Sequence, residues 1–191
     1  MSKPNFSYIT NNCITVFVYK RLKKPYDNPF VGSLFQNDEQ FLKFCRQYNY
    51  YIKQIPRFSK PLQATFKHHR IRNYPVMFLD DIEIHWIHEK SPTKLIDKYK
   101  RRLIRNKGLL PFFFWSDSQL YQFHPPEERE RIIASFLEIP HSVYFRMEEI
   151  PKWKRLSMHN REDLGGIQRL RWGRNYQKFV ANLMLKKISV L

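Results

Sequence analysis

Leu79-Asp80-Asp81-Ile82-Glu83-Ile84-His85-Trp86-Ile87-His88-Glu89-Lys90-Ser91-Pro92 reads as a strand that stops at a helix cap. Side chains alternate faces along a strand, so Ile82, Ile84 and Trp86 share one face and Asp81, Glu83 and His85 the other. Ser91 supplies an N-cap and Pro92 a first-turn proline. Acidic and imidazole groups at the carboxyl end of a strand, just before a helix, sit where open α/β sheets place their ligands. The bland alternative is a half-exposed strand whose polar face meets water.

Outward from this stretch, strand and helix patterns alternate. Asn5 to Thr10 alternates apolar and polar residues and reads as a first strand, followed by an Asn11-Asn12 turn. Ile14 to Tyr19 suits either a second strand or the start of a helix. Lys24 to Gly32 carries Pro25, Asp27, Asn28 and Pro29 and reads as a loop. Asn37 with Gln40 matches a capping box, and Phe41, Leu42, Cys45, Tyr48 and Ile52 recur at helical spacing. Ile55 to Arg72 is expected to be loop with a short strand. Tyr74 to Leu79 and Ile82 to Ile87 are strand-like, either as two strands or as one with a kink at Asp80-Asp81. Pro92 to Asn106 is the clearest helix, Leu110 to Trp115 a fully apolar strand, Glu127 to Glu138 a helix and Ser142 to Met147 a strand. A terminal helix is expected over Gln168 to Lys187. The alternation predicts an α/β fold: three layers, α/β/α, around a mixed or mostly parallel sheet. Residues 1–150 form the expected α/β domain, and 151–191 a basic, aromatic helical appendage.

A chain of 191 residues can bury about 70% of its unfolded surface without a disulfide or a metal. Its two cysteines, Cys13 and Cys45, make no disulfide framework and read as free thiols of a reducing compartment. The first residues lack the basic and apolar regions of a signal peptide. The apolar run from Leu109 to Trp115 is too short to span a bilayer. The expected location is the cytoplasm, with peripheral attachment to the inner membrane. Thirty-four Lys and Arg against seventeen Asp and Glu leave a net charge of +17, which implies an anionic partner. The cations are spread along the sequence and 16% of residues are aromatic, which argues for a folded basic surface over a disordered tail.

Several stretches together resemble a known family. They are Ile9-Thr10-Asn11-Asn12-Cys13, Tyr26-Asp27-Asn28-Pro29-Phe30-Val31-Gly32, Tyr74-Pro75-Val76, the stretch from Leu79 to His88, Lys100-Arg101-Arg102, and Phe114-Trp115-Ser116-Asp117. This pattern is similar to that of the bacterial proteins usually labelled exopolysaccharide biosynthesis proteins, a domain of unknown function found among capsule and lipopolysaccharide genes. The resemblance covers roughly residues 6–150 and implies a three-layer α/β/α fold and a pathway, but no particular reaction. The chain departs from the pattern at Ile14-Thr15-Val16, where the family commonly has an aromatic residue and a glycine pair. It departs again at Ser116-Asp117-Ser118, where an acidic pair is reduced.

Asp81, Glu83 and His85 are the candidate catalytic residues. A carboxylate or imidazole there could deprotonate an acceptor hydroxyl, or the two acids could hold a divalent ion bridging a nucleotide diphosphate. The candidate substrate-binding residues are Asn11, Asn12, His88, Arg101, Arg102, Ser116 and Asp117. Amides suit sugar hydroxyls, and Arg suits phosphate or carboxylate. Each has a plain alternative: turn residues, solvated helix face, packed histidine, helix cap. No zinc pattern is present, and Cys13 reads as a small buried residue.

The expected function is a transferase, either a glycosyltransferase or a glycan-substituent transferase, in exopolysaccharide, capsule or lipopolysaccharide biosynthesis. Its donor would be a sugar nucleotide with or without a divalent cation, and its acceptor a lipid-linked glycan or polysaccharide at the anionic inner-membrane surface. The alternatives are a non-catalytic adaptor of a polysaccharide-assembly complex and a nucleic-acid-binding protein. Trp153, Lys154, Arg155, Arg169, Arg171, Trp172 and Arg174 interleave aromatics with cations, which suits a membrane interface or single-stranded nucleic acid. No nucleic-acid-binding signature accompanies them.

Overall fold

The structure is a computed structural model that describes residues 5–11, 14–59, 74–86, 88–116, 125–145 and 182. The expected boundary at residue 150, the appendage beyond it and its Gln168–Lys187 helix lie outside these residues, apart from residue 182. Among the described residues up to Phe145 the elements are, in order, β1 (Phe6–Thr10), α1 (Thr15–Leu22), β2 (Leu34–Phe35), α2 (Asp38–Arg46), α3 (Tyr48–Tyr51), β3 (Arg57–Ser59), β4 (Val76–Leu79), β5 (Ile82–His85), α4 (Pro92–Asn106), β6 (Leu110–Ser116), α5 (Pro126–Leu137) and β7 (Ser142–Phe145). The strands form two sheets: a parallel one in the order β1-β6-β7 and an antiparallel one in the order β2-β5-β4-β3. The fold is α/β, with parallel and antiparallel pairings kept in separate sheets.

β6 is central in the parallel sheet because its residues tolerate burial on both faces. Phe112, Phe113, Phe114 and Trp115 are all buried. Pro111 is tolerated there because the β7 ladder begins only at Phe113, so its missing N–H interrupts no β7 bond. The open edge of β1 is covered by side chains. The Tyr8 amide donates to the Tyr19 hydroxyl at 3.1 Å, Asn28 donates to the Tyr8 carbonyl, and Lys24 Nζ donates to the Phe6 carbonyl at 2.6 Å. These bonds leave that edge little capacity to pair with another chain.

The structure decides two local readings that the sequence left open. Leu79 pairs with Ile82, so Asp80-Asp81 is a hairpin turn between two antiparallel strands and not a kink in one. Asp80 takes φ 54°, a left-handed conformation that a short polar side chain accepts. Ile14 to Tyr19 resolves into the start of α1, with Val18 and Tyr19 buried one turn below Ile14 and Thr15.

Asn37 caps α2 as its type and position predict, accepting from the Gln40 amide at 2.8 Å. Gln40 does not close the box back onto Asn37. Its side chain donates to Gln36 Oε1 at 2.6 Å and accepts from the Glu83 amide at 2.7 Å, tying α2 to β5. Asn37→Ala should therefore cost about 1 kcal/mol, the usual value of a lost cap. The shift of the urea midpoint at unchanged slope would measure it.

Candidate functional site

Alternation and register sort the antiparallel sheet into two faces. Phe35, Met77, Leu79, Ile82 and Ile84 face the core. Val76 opposite His85, and Phe78 opposite Glu83, lie on the other face. There the His85 ring joins three side chains in a row. Its Nε2 lies 2.9 Å from Glu83 Oε1, and its Nδ1 lies 3.3 Å from the Tyr74 hydroxyl. The Nε2 contact with Glu83 is electrostatic and lacks hydrogen-bond alignment, whereas Nδ1 and the Tyr74 hydroxyl share a hydrogen bond whose direction follows the tautomer. His85 is fully buried, whereas the Glu83 side chain is 14% exposed. The row therefore opens to solvent at its carboxylate end. Burial, and then the charge of Glu83, push the Tyr74 phenol above its usual range, so Tyr74 stays a proton donor.

Asp81 does not join this row. It sits in the hairpin turn, where its carboxylate accepts from the Tyr51 hydroxyl at 2.8 Å and pairs with Lys43. Four residues of strand put it about 13 Å from His85 along the chain. The Lys43 and Tyr51 hydrogen bonds hold its pKa below the usual carboxylate value. A depressed folded-state value contributes stability above the unfolded value of about 3.9, and the contribution disappears as pH falls through the folded one. Both partners are about half exposed, so the effect is small. Asp81→Asn should lower the denaturation midpoint slightly at neutral pH, and the difference should close on acidification. A gap that widened in acid would contradict this.

A second polar cluster lies at the carboxyl ends of β1 and β6. Asn11 Nδ2 donates to Asp38 Oδ1 at 3.1 Å, and Trp115 Nε1 donates to the same oxygen at 2.8 Å. Asp38 is 5% exposed, in the first turn of α2. Its sequence context is that of an ordinary first-turn acid, which does not single it out. The available signal was Trp115, since a tryptophan ending a buried strand needs an acceptor for its N–H. The two clusters are neighbours. The Phe35 amide donates to the Asn11 carbonyl at 3.1 Å, and Phe35 pairs with Ile84 on β5. Two strand spacings, about 10 Å, separate the end of β1 from β5.

The remaining candidates are dispersed. His88 is exposed between β5 and α4. Arg101 is exposed on α4. Arg102 turns inward: its Nη1 donates to the Val31 carbonyl at 2.8 Å, and its guanidinium lies against the Tyr26 and Trp86 rings. Burial lowers its pKa. It fastens α4 to the loop before β2. Ser116 ends β6, paired with Phe145. Asn12, Cys13 and Asp117 lie outside the described residues. Cys45 is a buried free thiol whose pKa burial raises, which makes it a poor nucleophile. Among the described residues no three His, Cys, Asp or Glu side chains gather to hold a metal ion, and no helix is long and apolar enough to cross a membrane.

The profile of a domain of unknown function, DUF1919, matches residues 1–125. The chain belongs to the DUF1919 family. That match covers β1 through β6 and both polar clusters. A Haemophilus influenzae protein (strain Rd), described as an uncharacterized protein, is 30% identical over 107 residues. The alignment takes in 56% of this chain and 47% of that protein, so the chain spans about half the length of the curated relative it matches.

Proposed function

We propose that this DUF1919 protein is a transferase of surface-polysaccharide assembly in which Glu83 is the general base. The observation that carries this reading is the buried His85 bridging the Tyr74 phenol and the partly exposed Glu83 carboxylate. In the proposed step an acceptor O–H gives its proton to Glu83. The acceptor oxygen bonds to the electrophilic carbon of the donor, and the donor's phosphate leaves with the electron pair of the broken bond. His85 is fully buried between Tyr74 and Glu83, so in this reading it acts on Glu83 through its electrostatic contact and does not touch substrate.

The pathway rests on the motifs between Ile9 and Asp117, which resemble those of proteins from capsule and lipopolysaccharide gene clusters. The charge of +17 supports a lipid-linked acceptor held at an anionic membrane surface, where each cation near the surface contributes about 1 kcal/mol. The proposed donor is a sugar nucleotide.

Thermal stability of the full chain against a panel of sugar nucleotides and acyl donors, with and without Mg²⁺ or Mn²⁺ at physiological salt, tests this. One donor should raise the melting temperature selectively, and Asn11→Ala should reduce that rise. If no donor shifts the transition, the transferase reading fails and a non-catalytic adaptor of the assembly complex takes its place.

A further inference from the structure

We propose that the N-terminus of α1 is a phosphate-binding site whose donors are the Thr15 hydroxyl and the Thr15 and Val16 amides. α1 follows β1 directly, so its N-terminus lies at the carboxyl end of a parallel strand. The first amides of a helix have no intrahelical partner and need an acceptor from elsewhere. Here the cap residue is Ile14, which has no side-chain acceptor, and the first turn contains no acidic residue. The Phe17 and Val18 amides turn back onto the Ile14 carbonyl at 2.8 and 3.5 Å. The Thr15 and Val16 amides find no acceptor among the described residues.

The second, independent observation is Thr15 itself. It is 1% exposed, and its Oγ1 is buried with no hydrogen-bond partner. An orphan buried hydroxyl costs about as much as a lost hydrogen bond and calls for an explanation. Side chains on a helix tilt toward its N-terminus, so this hydroxyl joins the two amides at the mouth of α1. Val16 and Phe17, next along the helix, are half-buried, so solvent reaches the first turn beside the sunken Thr15. Three donors and the positive end of a helix dipole, with no acceptor for them among the described residues, make a site for an anionic oxygen. Donors from two amides and one hydroxyl do not lie in one plane. They fit the tetrahedral oxygens of a phosphoryl group better than a flat carboxylate. Because the hydroxyl is sunk below the surface, the phosphoryl group belongs to a soluble ligand and not to a bilayer headgroup. This assignment needs no transfer chemistry, so it holds or fails independently of the role given to Glu83.

Amide NMR of the full chain, titrated with inorganic phosphate against chloride at equal ionic strength, reads the site directly. The Thr15 and Val16 resonances should move saturably with phosphate. Acetate and phosphatidylglycerol vesicles should leave them in place. Thr15→Val removes the orphan hydroxyl at nearly constant volume, so it should fold at least as stably while losing roughly tenfold or more in phosphate affinity. Thr15→Ser should retain affinity. The proposal is overturned if the phosphate shifts fall only on the basic surface, if acetate or vesicles move the same amides as strongly, or if Thr15→Val titrates like the parent.

Discussion

Glu83→Gln should lower the transfer rate by about 10²–10⁴-fold while leaving the fold intact, because a positioned general base contributes that much. Glutamine keeps the length and shape of the side chain and its place beside His85 Nε2. Only the basicity is lost. The loss should therefore appear in kcat, with KM little changed. His85→Asn should behave differently. It breaks the bridge at both ends and leaves the Tyr74 hydroxyl without its ring partner in a buried place. Activity and stability should fall together, the latter by about 1–3 kcal/mol. The comparison requires transfer assays on the donor selected by thermal shift, with denaturant midpoints for each variant. Full transfer by Glu83→Gln would remove Glu83 from the mechanism.

Phe44→Ala should cost about 3–5 kcal/mol, the largest stability loss expected from one substitution here. Phe44 is fully buried on α2 at the meeting point of three elements. Its ring lies 4.9 Å from Phe30 edge-to-face, 5.0 Å from Phe35, 5.7 Å from Tyr48 and 6.0 Å from Tyr51. Truncation removes the hydrophobic transfer energy and these ring contacts together. Rigid neighbours on α2, α3, β2 and the preceding loop limit how far the cavity can close. Phe44→Leu should recover much of the loss, because it refills most of the volume. Urea midpoints at constant slope would measure both, and a loss under 1 kcal/mol for Phe44→Ala would mean that the cluster collapses freely.

Much of the frame is legible in local pattern. Alternation in Asn5–Thr10, the apolar run of β6, the Asn37 and Ser91 caps and the proline-rich loop after Lys24 all correspond to elements of the structure. The candidate site is legible only in part. Alternation correctly puts Glu83 and His85 on one face, because that relation depends on two neighbouring residues of one strand. It fails for Asp81. A hairpin turn begins there, and Lys43, 38 residues earlier, and Tyr51, 30 residues earlier, claim the carboxylate.

The sequence by itself determined the α/β class, the Asn37 and Ser91 caps and which faces of β5 and β6 are apolar. Each follows from residues within one or two turns of one another, where propensity, periodicity and hydrogen-bonding capacity act without distant help. Only the tertiary structure decided that Asp38 joins Asn11 and Trp115, 27 and 77 residues away along the chain. It alone turned Arg102 inward onto Val31 and left the Thr15 hydroxyl buried without a partner. The physical reason is that satisfying or orphaning a buried polar group depends on which distant acceptor packing brings within about 3 Å, and no local pattern carries that distance.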